Sequence, residues 1–226
     1  MGKTLEEQSK EKPKQPQSRH RRRSNKTRAR LVDAARTVIT EKGLDRCTVD
    51  DITERADVGR GTFYNYFENM GDLTGSLVET ILTELVAKIN ARCQDQTGLA
   101  EILDAIIGSH MDFFSKRWED FVLFYLGQAD LTLVESYDNL ATPFNEYLNC
   151  IERLVDSSMP QPISRPALRR LACAIAGFIS GYYSFAVISS DAEDVDNAFL
   201  SLRSAFVASL VRFISEAFPD TGKKRP

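Results

Sequence analysis

The sequence predicts an all-α protein with a small N-terminal domain and a larger C-terminal domain. Two observations support this fold class: apolar residues recur at helical spacing from Leu31 onward, and no segment alternates with the two-residue period of a strand. The chain has 226 residues, of which 42% are hydrophobic and 27% charged. These values are typical of globular domains and disfavour a disordered chain or a membrane bundle.

Charge is distributed unevenly along the chain. Residues 1–30 carry a formal charge of +8 and residues 31–226 carry −11, which together give the net charge of −3. Because residues 1–24 lack hydrophobic periodicity, they are predicted to form a disordered basic tail, with a second disordered segment at 219–226. The run Arg19–Arg30 holds seven basic side chains and no carboxylate. Such a run is compatible with a solubilising tail, a targeting signal or a nucleic-acid contact.

Cysteine and histidine are too sparse for a metal cluster. The four cysteines stand alone, without a Cys-x-x-Cys pair, and the chain has two histidines. The N-terminus lacks the apolar segment of a secretory signal. We therefore expect a cytoplasmic protein with reduced thiols, no metal and no cofactor.

Three helices are predicted in residues 25–70. Gly43 ends the first with a left-handed cap, and the apolar face of that helix comprises Leu31, Ala34, Ala35, Val38 and Ile39. Thr48 begins the second as its N-cap, with Asp51 as a weaker form of the capping-box partner. After a short turn, the third helix spans Arg60–Phe67.

The second predicted domain, residues 71–218, is expected to be wholly helical. Its helices are predicted at 72–94, 99–116, 118–128, 131–157, 167–189 and 192–218. A kink or break is expected before Pro143, because proline cannot donate a hydrogen bond to the preceding turn. The proline-rich residues 159–166 form a linker before the last two helices.

Residues 48–67 have the pattern of helix, turn and helix. Two short helices at a steep angle form a helix-turn-helix, whose second helix can enter the major groove of DNA. The side chains predicted to be exposed on that helix combine hydroxyls for phosphates, a guanidinium for a base edge and a glycine for close approach: Arg60, Gly61, Thr62, Tyr64, Asn65 and Tyr66. By spacing alone, a helical hairpin with surface tyrosines explains the segment equally well.

The residue string is more informative than its spacing. Val58-Gly-Arg-Gly-Thr-Phe-Tyr-Asn-Tyr-Phe67, preceded by Thr48-Val-Asp-Asp-Ile-Thr-Glu-Arg-Ala56, closely resembles the signature of the TetR (tetracycline repressor-like) family. The similar region is about Arg28 to Leu77. The resemblance implies an N-terminal three-helix DNA-binding domain and a C-terminal helical regulatory domain that dimerises through its last two helices.

The resemblance also implies which residues meet DNA. Arg60 and Gly61 would face base edges, and Asn65 would contact the backbone or a base. The expected phosphate contacts are those of Thr48, Thr62, Tyr64 and Tyr66, to which we add Arg28 from the basic run.

Three positions depart from the family pattern. Asp57 stands where the turn usually carries glycine, and aspartate tolerates a positive φ better than most residues. Gly59 replaces the usual Ser or Thr cap of the recognition helix. Met70 replaces a phosphate-binding lysine, which removes one charge contact with DNA.

The predicted reading domain is poor in positive charge. Residues 31–75 contain five basic side chains against nine acidic ones. We therefore hypothesise that the run Arg19–Arg30 supplies the missing attraction by following the DNA backbone or by entering a minor groove.

The stretch Leu171–Ile188 contains 18 residues without a charge. Its length approaches that of a membrane span, but its serines and tyrosines lower its hydrophobicity. A central helix that contacts its own core and a second subunit is the favoured interpretation, so no membrane partner is expected. The residues expected at the dimer interface are Ala172, Ala176, Gly177, Gly181, Leu202, Phe206 and Leu210.

Aromatic residues are concentrated in the middle of the chain. Most are expected to form core, and a few to line an effector cavity. The candidates are His110, Phe114, Trp118, Phe121, Tyr125, Tyr147, Phe178 and Tyr182. His110, alone on an apolar helix face, is expected to be a satisfied core residue rather than a ligand anchor.

Together these features predict a non-enzymatic, homodimeric transcriptional regulator, a repressor released from a palindromic DNA operator by a small, mostly apolar effector. One alternative is a DNA-binding regulator controlled by a protein partner or without an effector. Another, from a different class, is an all-helical enzyme or lipid-binding protein. Catalysis is disfavoured because histidines are few and no nucleophile motif is visible.

Overall fold

The computed structural model describes residues 19–115, 117–133, 138–159, 161, 163–189 and 192–218. These residues form helices and no strand, which confirms the all-α fold class. The helices are α1 (Arg19–Lys42), α2 (Val49–Arg55), α3 (Arg60–Tyr64), α4 (Met70–Cys93), α5 (Leu99–Phe114), α6 (Trp118–Leu133), α7 (Asp138–Ser158), α8 (Arg165–Ser189) and α9 (Ala192–Ala217), with a 3-10 turn at Leu44–Arg46 after α1.

Helix α1 begins earlier than the sequence pattern predicted. It starts at Arg19, so residues 19–24 are helical where a disordered tail was predicted. The physical reason is that arginine and lysine favour helices and that the last proline of the tail, Pro16, precedes the run. The predictions for residues 1–18 and 219–226 lie outside the described residues.

The N-terminal helices enclose a small apolar core. Leu31 and Ala35 of α1, Ile52 of α2 and Phe63 of α3 belong to one hydrophobic cluster, and all four are fully buried. Gly43, with φ +82°, ends α1 in the left-handed region, as the sequence predicted. Burial of these faces fixes the angle between α2 and α3 and therefore the surface that α3 presents.

Helix α4 connects the two domains. It packs against α5, α6 and α7, and its buried side includes Leu77, Ile81, Leu85 and Ile89. The second domain is completed by α7 against α8 and by α5 against α9. In the described part of the chain, no helix combines the length and the apolar character that a membrane span requires.

The sixth and seventh helices differ from their predicted bounds. Helix α6 continues to Leu133, and α7 starts at Asp138. Pro143 therefore lies inside α7, five residues after its start, whereas a kink or break was predicted before this proline.

Candidate nucleic-acid interface

A complete capping box starts helix α2. The Thr48 hydroxyl oxygen accepts from the Asp51 backbone N–H at 3.2 Å, and Asp51 Oδ2 accepts from the Thr48 N–H at 3.0 Å. Lys42 Nζ lies 2.5 Å from Asp51 Oδ1. Lys42 and the Thr48 bonds lower the pKa of the Asp51 carboxyl to about 2. The sequence predicted a weaker form of the capping box at this position. The structure has both of its hydrogen bonds, and Lys42 adds an ion pair to Asp51.

The turn between α2 and α3 carries a non-glycine residue in the left-handed region. Asp57 has a φ of +50°, and the Val58 N–H donates to the Thr53 carbonyl at 3.0 Å. The Arg30 guanidinium of α1 donates to the Ala56 carbonyl, to the Asp57 carbonyl at 3.2 Å and to Asp57 Oδ2 at 3.4 Å. Arg30 thus ties the turn to α1.

Helix α3 has one buried and one exposed side. Phe63 is fully buried, whereas the neighbouring Tyr64 is 51% exposed. The other residues predicted to contact DNA share the exposed side: Arg60, Gly61 and Asn65 are exposed, and Thr62 and Tyr66 are half-buried. A Cβ atom added at Gly61 would meet no atom within 4 Å, so this surface is open. Thr48 at the start of α2 is also exposed.

Arg60 makes an ion pair within its own chain. Its Nη1 lies 3.2 Å from Oδ2 of Asp50, which belongs to the first turn of α2. A hydrogen bond to the Tyr64 hydroxyl, followed by the attraction of Asp50, raises the pKa of the Arg60 guanidinium. Sequence patterns did not reveal Asp50, because an acidic residue in a first helical turn already has a local explanation.

Arg28 is exposed and contacts other residues of its own chain. Its Nη2 donates to the Ser76 hydroxyl of α4, and its guanidinium lies 5.3 Å from the centre of the Phe67 ring. Arg28 thus takes part in the packing of α1 on α4, and its contact with DNA stays a prediction. A partner 48 residues away could not be read from a local charge run.

A buried charge cluster joins the N-terminal helices to the rest of the molecule. Asp120 of α6 is fully buried, with Arg36 Nε at 3.1 Å from Oδ1 and Arg117 Nε at 2.5 Å from Oδ2. Arg117 also lies 2.5 Å from Glu84 of α4. Burial raises the pKa of the Asp120 carboxyl, while the two guanidinium groups oppose that rise. No sequence pattern indicated this cluster.

His110 is a satisfied core residue, as the sequence predicted. Its Nδ1 lies 2.7 Å from the Ile106 carbonyl, and its Nε2 lies 2.7 Å from the Tyr147 hydroxyl. Since the Ile106 carbonyl only accepts, Nδ1 carries the proton and Nε2 accepts from Tyr147. Burial lowers the pKa of His110 to about 4 and raises that of Tyr147.

The aromatic candidates for an effector pocket pack against one another. The ring centroid of Phe114 lies 5.4 Å from that of Phe121 and 5.5 Å from that of Phe124. The ring centroids of Phe124 and Tyr147 are 6.0 Å apart. His110, Phe114, Phe121 and Tyr147 are all buried in this cluster, and their contact with an effector stays a prediction. Trp118 and Tyr125 are exposed and border the cluster, since their ring centroids lie 4.9 Å and 6.3 Å from that of Phe121. Phe178 and Tyr182 are half-buried on α8.

Two grooves are present in the described part of the chain, and the aromatic cluster lines neither of them. A groove of about 760 Å³ runs between the end of α4, α5 and α9, where Val207 and Val211 face Arg92 and Asp104. A second groove of about 380 Å³ lies between α1, α4 and α7. Neither is lined by the eight predicted effector contacts.

The predicted dimer residues divide into two sets. Ala172 and Ala176 are buried within the chain, and their place at a dimer interface stays a prediction. Gly177 is exposed and Gly181 is half-buried, and a Cβ atom at either would meet no atom within 4 Å. On α9, Leu202 is exposed, and Phe206 and Leu210 are half-buried. Phe213, which was not predicted, is 57% exposed on the same helix.

A family profile described as bacterial regulatory proteins, tetR family, matches residues 31–77, which contain α2, the turn and α3. This N-terminal part of the chain is similar to the tetR family. Relatives of the chain include two proteins from Bacillus subtilis that match it over more than half of its length. The uncharacterized HTH-type transcriptional regulator YvdT is 28% identical over 130 residues, 58% of this chain and 66% of that protein. The fatty acid metabolism regulator protein is 28% identical over 133 residues, 59% and 66% of the respective chains.

The chain spans just under two thirds of the length of both curated relatives.

Solved structures are similar to this chain over most of its length. The fatty acid degradation regulator FadR from Bacillus halodurans has a TM-score of 0.63 at 22% identity, covering 78% of this chain and 94% of that one. FadR from Bacillus subtilis in complex with stearoyl-CoA has a TM-score of 0.60 at 22% identity, covering 78% and 97%. At these identities the likeness concerns the fold.

Proposed function

We propose that this chain is a cytoplasmic, non-enzymatic regulator of the tetR family that binds operator DNA as a homodimer and represses transcription. The observation that carries the proposal is the exposed polar side of α3 above the buried Phe63. A guanidinium, a phenol and an amide stand together there, at Arg60, Tyr64 and Asn65. In the proposed division, residues 25–70 bind DNA, and residues 71–218 form the regulatory and dimerisation domain.

The proposed docking places α3 in the major groove, with Arg60 and Gly61 at base edges. Tyr64, Thr62 and Tyr66 would donate hydroxyls to phosphates, and Thr48 would do so from the start of α2. The hydroxyl of Thr48 donates to Asp51 at 2.7 Å in the free protein, so its phosphate contact requires that bond to be exchanged.

The basic part of α1 supplies the electrostatic attraction in this proposal. Arg22, Arg23 and Lys26 are exposed on a continuous helix. A helix presents these charges to the phosphate backbone, whereas insertion into a minor groove as an extended arm requires that the helix unwind. We therefore favour backbone contact.

That role is tested by deleting residues 1–24 and measuring operator affinity over a range of salt concentrations. Removing the basic side chains should lower both the affinity and the slope of log affinity against log salt, by about 0.9 for each phosphate that is no longer neutralised. An unchanged slope would contradict the proposal.

The exposed sides of α8 and α9 are proposed to meet their counterparts in a second subunit. Gly177, with open space around it, allows close approach, while Leu202 and Phe213 are apolar side chains that a partner would bury. A two-fold axis there would place two α3 helices in successive major grooves about one helical turn apart.

A small, mostly apolar effector is proposed to release the protein from DNA. The support comes from relatives: one is named for fatty acid metabolism, and one solved neighbour was crystallised with stearoyl-CoA. A direct test is to add acyl-CoA thioesters of increasing chain length to the protein–DNA complex. Release of DNA that depends on chain length would support an acyl effector.

One observation favours the second candidate, a DNA-binding regulator with a protein partner or without an effector. The side chains expected to line a pocket are packed against one another around Phe114. If no acyl compound or other small molecule shifts the melting temperature or the DNA affinity, this candidate is preferred.

DNA binding itself is tested with duplexes from the region upstream of the protein's own gene. Tyr64→Phe should weaken binding to specific and random DNA alike, since a phosphate contact carries no sequence information. Arg60→Ala should mainly reduce the preference for the specific duplex. Arg55→Ala, an exposed arginine of α2 paired with Glu41, serves as the charge-matched control. Equal losses on specific and random DNA for Arg60→Ala would refute its role in base reading.

A further inference from the structure

Asp50 occupies an unusual place for a carboxylate on a surface that is to meet DNA. It belongs to the first turn of α2, and its side chain is 68% exposed. Its Oδ2 lies 3.2 Å from Nη1 of Arg60, at the start of α3. We propose that Asp50 is a specificity-determining positioning residue that acts through Arg60. This inference rests on the proposed function.

A contact across the turn holds Arg60. The Asp50 carboxylate accepts from Nη1 of the guanidinium at 3.2 Å. A guanidinium reads guanine through two parallel N–H groups, which requires a defined plane. Asp50 restricts that plane before DNA arrives, so less rotamer freedom is lost on binding.

The charge of Asp50 acts in the same direction. A free arginine on this surface would contact phosphates of any sequence, which strengthens nonspecific binding. A carboxylate beside Arg60 offsets that attraction and repels phosphates that approach it. The combination disfavours random DNA and retains the contact with a correctly placed guanine.

A direct contact between Asp50 and a base would predict a different result from the positioning role. A carboxylate can accept directly from the N4 amino group of cytosine. In that case Asp50 would contribute to specificity without Arg60, whereas a positioning residue has no effect once Arg60 is absent. A double-substitution cycle therefore separates the two roles.

The experiment uses the full chain and a specific duplex recovered by selection from a random pool, with a scrambled duplex of equal length and composition as the nonspecific probe. Asp50→Asn removes the charge and keeps the shape. Asp33→Asn, at an exposed position of α1, makes the same change in net charge as the matched control. Melting temperatures of both variants report any effect on folding.

We expect Asp50→Asn to reduce the ratio of specific to nonspecific affinity by about tenfold, within the range of one bidentate base contact. Its nonspecific binding should become steeper in salt, by a slope of about 1, because Arg60 gains a phosphate. In an Arg60→Ala background, Asp50→Asn should change the ratio no more than Asp33→Asn does.

Two results would overturn the inference. One is an equal ratio for Asp50→Asn and Asp33→Asn, which would make Asp50 a general surface charge. The other is a loss of specificity that persists in the Arg60→Ala background, which would make Asp50 a direct reader of bases. Failure of the unsubstituted chain to select any sequence would instead overturn the proposed function.

Discussion

Asp120 Oδ1 lies 3.1 Å from the Nε of Arg36, and this contact joins α6 of the second domain to α1 of the DNA-binding domain. The carboxylate is fully buried and is shared with Arg117. A buried charge is costly when a partner is removed. If the N-terminal helices rotate away from α6, the ion pair between Asp120 and Arg36 must break. The alternative is that α6 moves together with them.

The first prediction concerns the stability of this contact. Arg36→Met keeps the apolar stem and removes the guanidinium, leaving Asp120 with Arg117 alone. We expect the free energy of unfolding at neutral pH to fall by about 2–3 kcal/mol, less than for a fully orphaned buried charge. Urea denaturation measures the change.

The matched control is Arg36→Met in an Asp120→Asn background, where the same substitution should cost much less because no buried charge remains. The pH dependence supplies a second check. Loss of Arg36 raises the pKa of Asp120 further, so the cost is present well above that pKa and shrinks as the pH falls through it. A cost that stays constant as the carboxyl protonates would contradict this explanation.

The second prediction concerns the positive φ of Asp57. Asp57→Ala and Asp57→Gly both remove the carboxylate that Arg30 contacts, but only alanine is strained at φ +50°. We expect the alanine variant to be about 1 kcal/mol less stable than the glycine variant, or about 2–4 °C lower in melting temperature. Equal melting temperatures would show that this turn adapts without strain.

The third prediction concerns acid sensitivity through His110. Its pKa is about 4 in the folded chain against 6.5 for a free histidine, so the unfolded chain binds a proton that the folded chain does not. Stability is therefore fully present above the unfolded pKa and declines as the pH falls toward about 4, by about 3 kcal/mol in total.

The control for His110 is the double substitution His110→Leu with Tyr147→Phe, which replaces the hydrogen-bonded pair by apolar groups. Denaturation at a series of pH values should show a shallower decline for this variant than for the original chain. Parallel curves for the two proteins would mean that other groups cause the acid sensitivity.

Local features of the sequence predicted the fold and much of the candidate interface. The spacing of Leu31 and Ala35, the cap at Thr48 and the exposed side of α3 depend on residues within a few positions of one another. The partners of Arg30 and Asp120 could not be predicted in this way, since they lie 27 and 84 residues away along the chain. Long charged side chains find such partners only after tertiary packing has brought the helices together.

The same reasoning applies to the residues of the second domain that were predicted as dimer or effector contacts. An uncharged stretch such as Leu171–Ile188 of α8 indicates that several faces of the helix are covered, but not which helix covers each face. Ala172 is buried against its own chain, while Gly177 is open, although both are small residues on one helix. Aromatic spacing likewise does not distinguish a filled core from a lined cavity, as Phe114 shows.

The last prediction compares two glycines in helices. Arg203 of α9 donates from Nε to Asp104 Oδ1 of α5 at 2.6 Å, and a Cβ atom at Gly108 would lie 2.7 Å from its Nη2. Because Asp104 holds the guanidinium, Gly108→Ala should cost about 1–3 kcal/mol in crowding, which outweighs the gain of about 1 kcal/mol in helix propensity. Thermal unfolding of the variant measures the net loss.

Gly177→Ala is the matched control, since the added Cβ atom meets no neighbour in the chain. Within one subunit it should stabilise α8 by up to about 1 kcal/mol. If the exposed sides of α8 and α9 form the dimer, the same methyl group separates two closely approaching helices. Gly177→Ala should then weaken the dimer, as sedimentation equilibrium would measure, while Gly108→Ala destabilises the subunit. A dimer of unchanged affinity in Gly177→Ala would place the interface away from this side of α8.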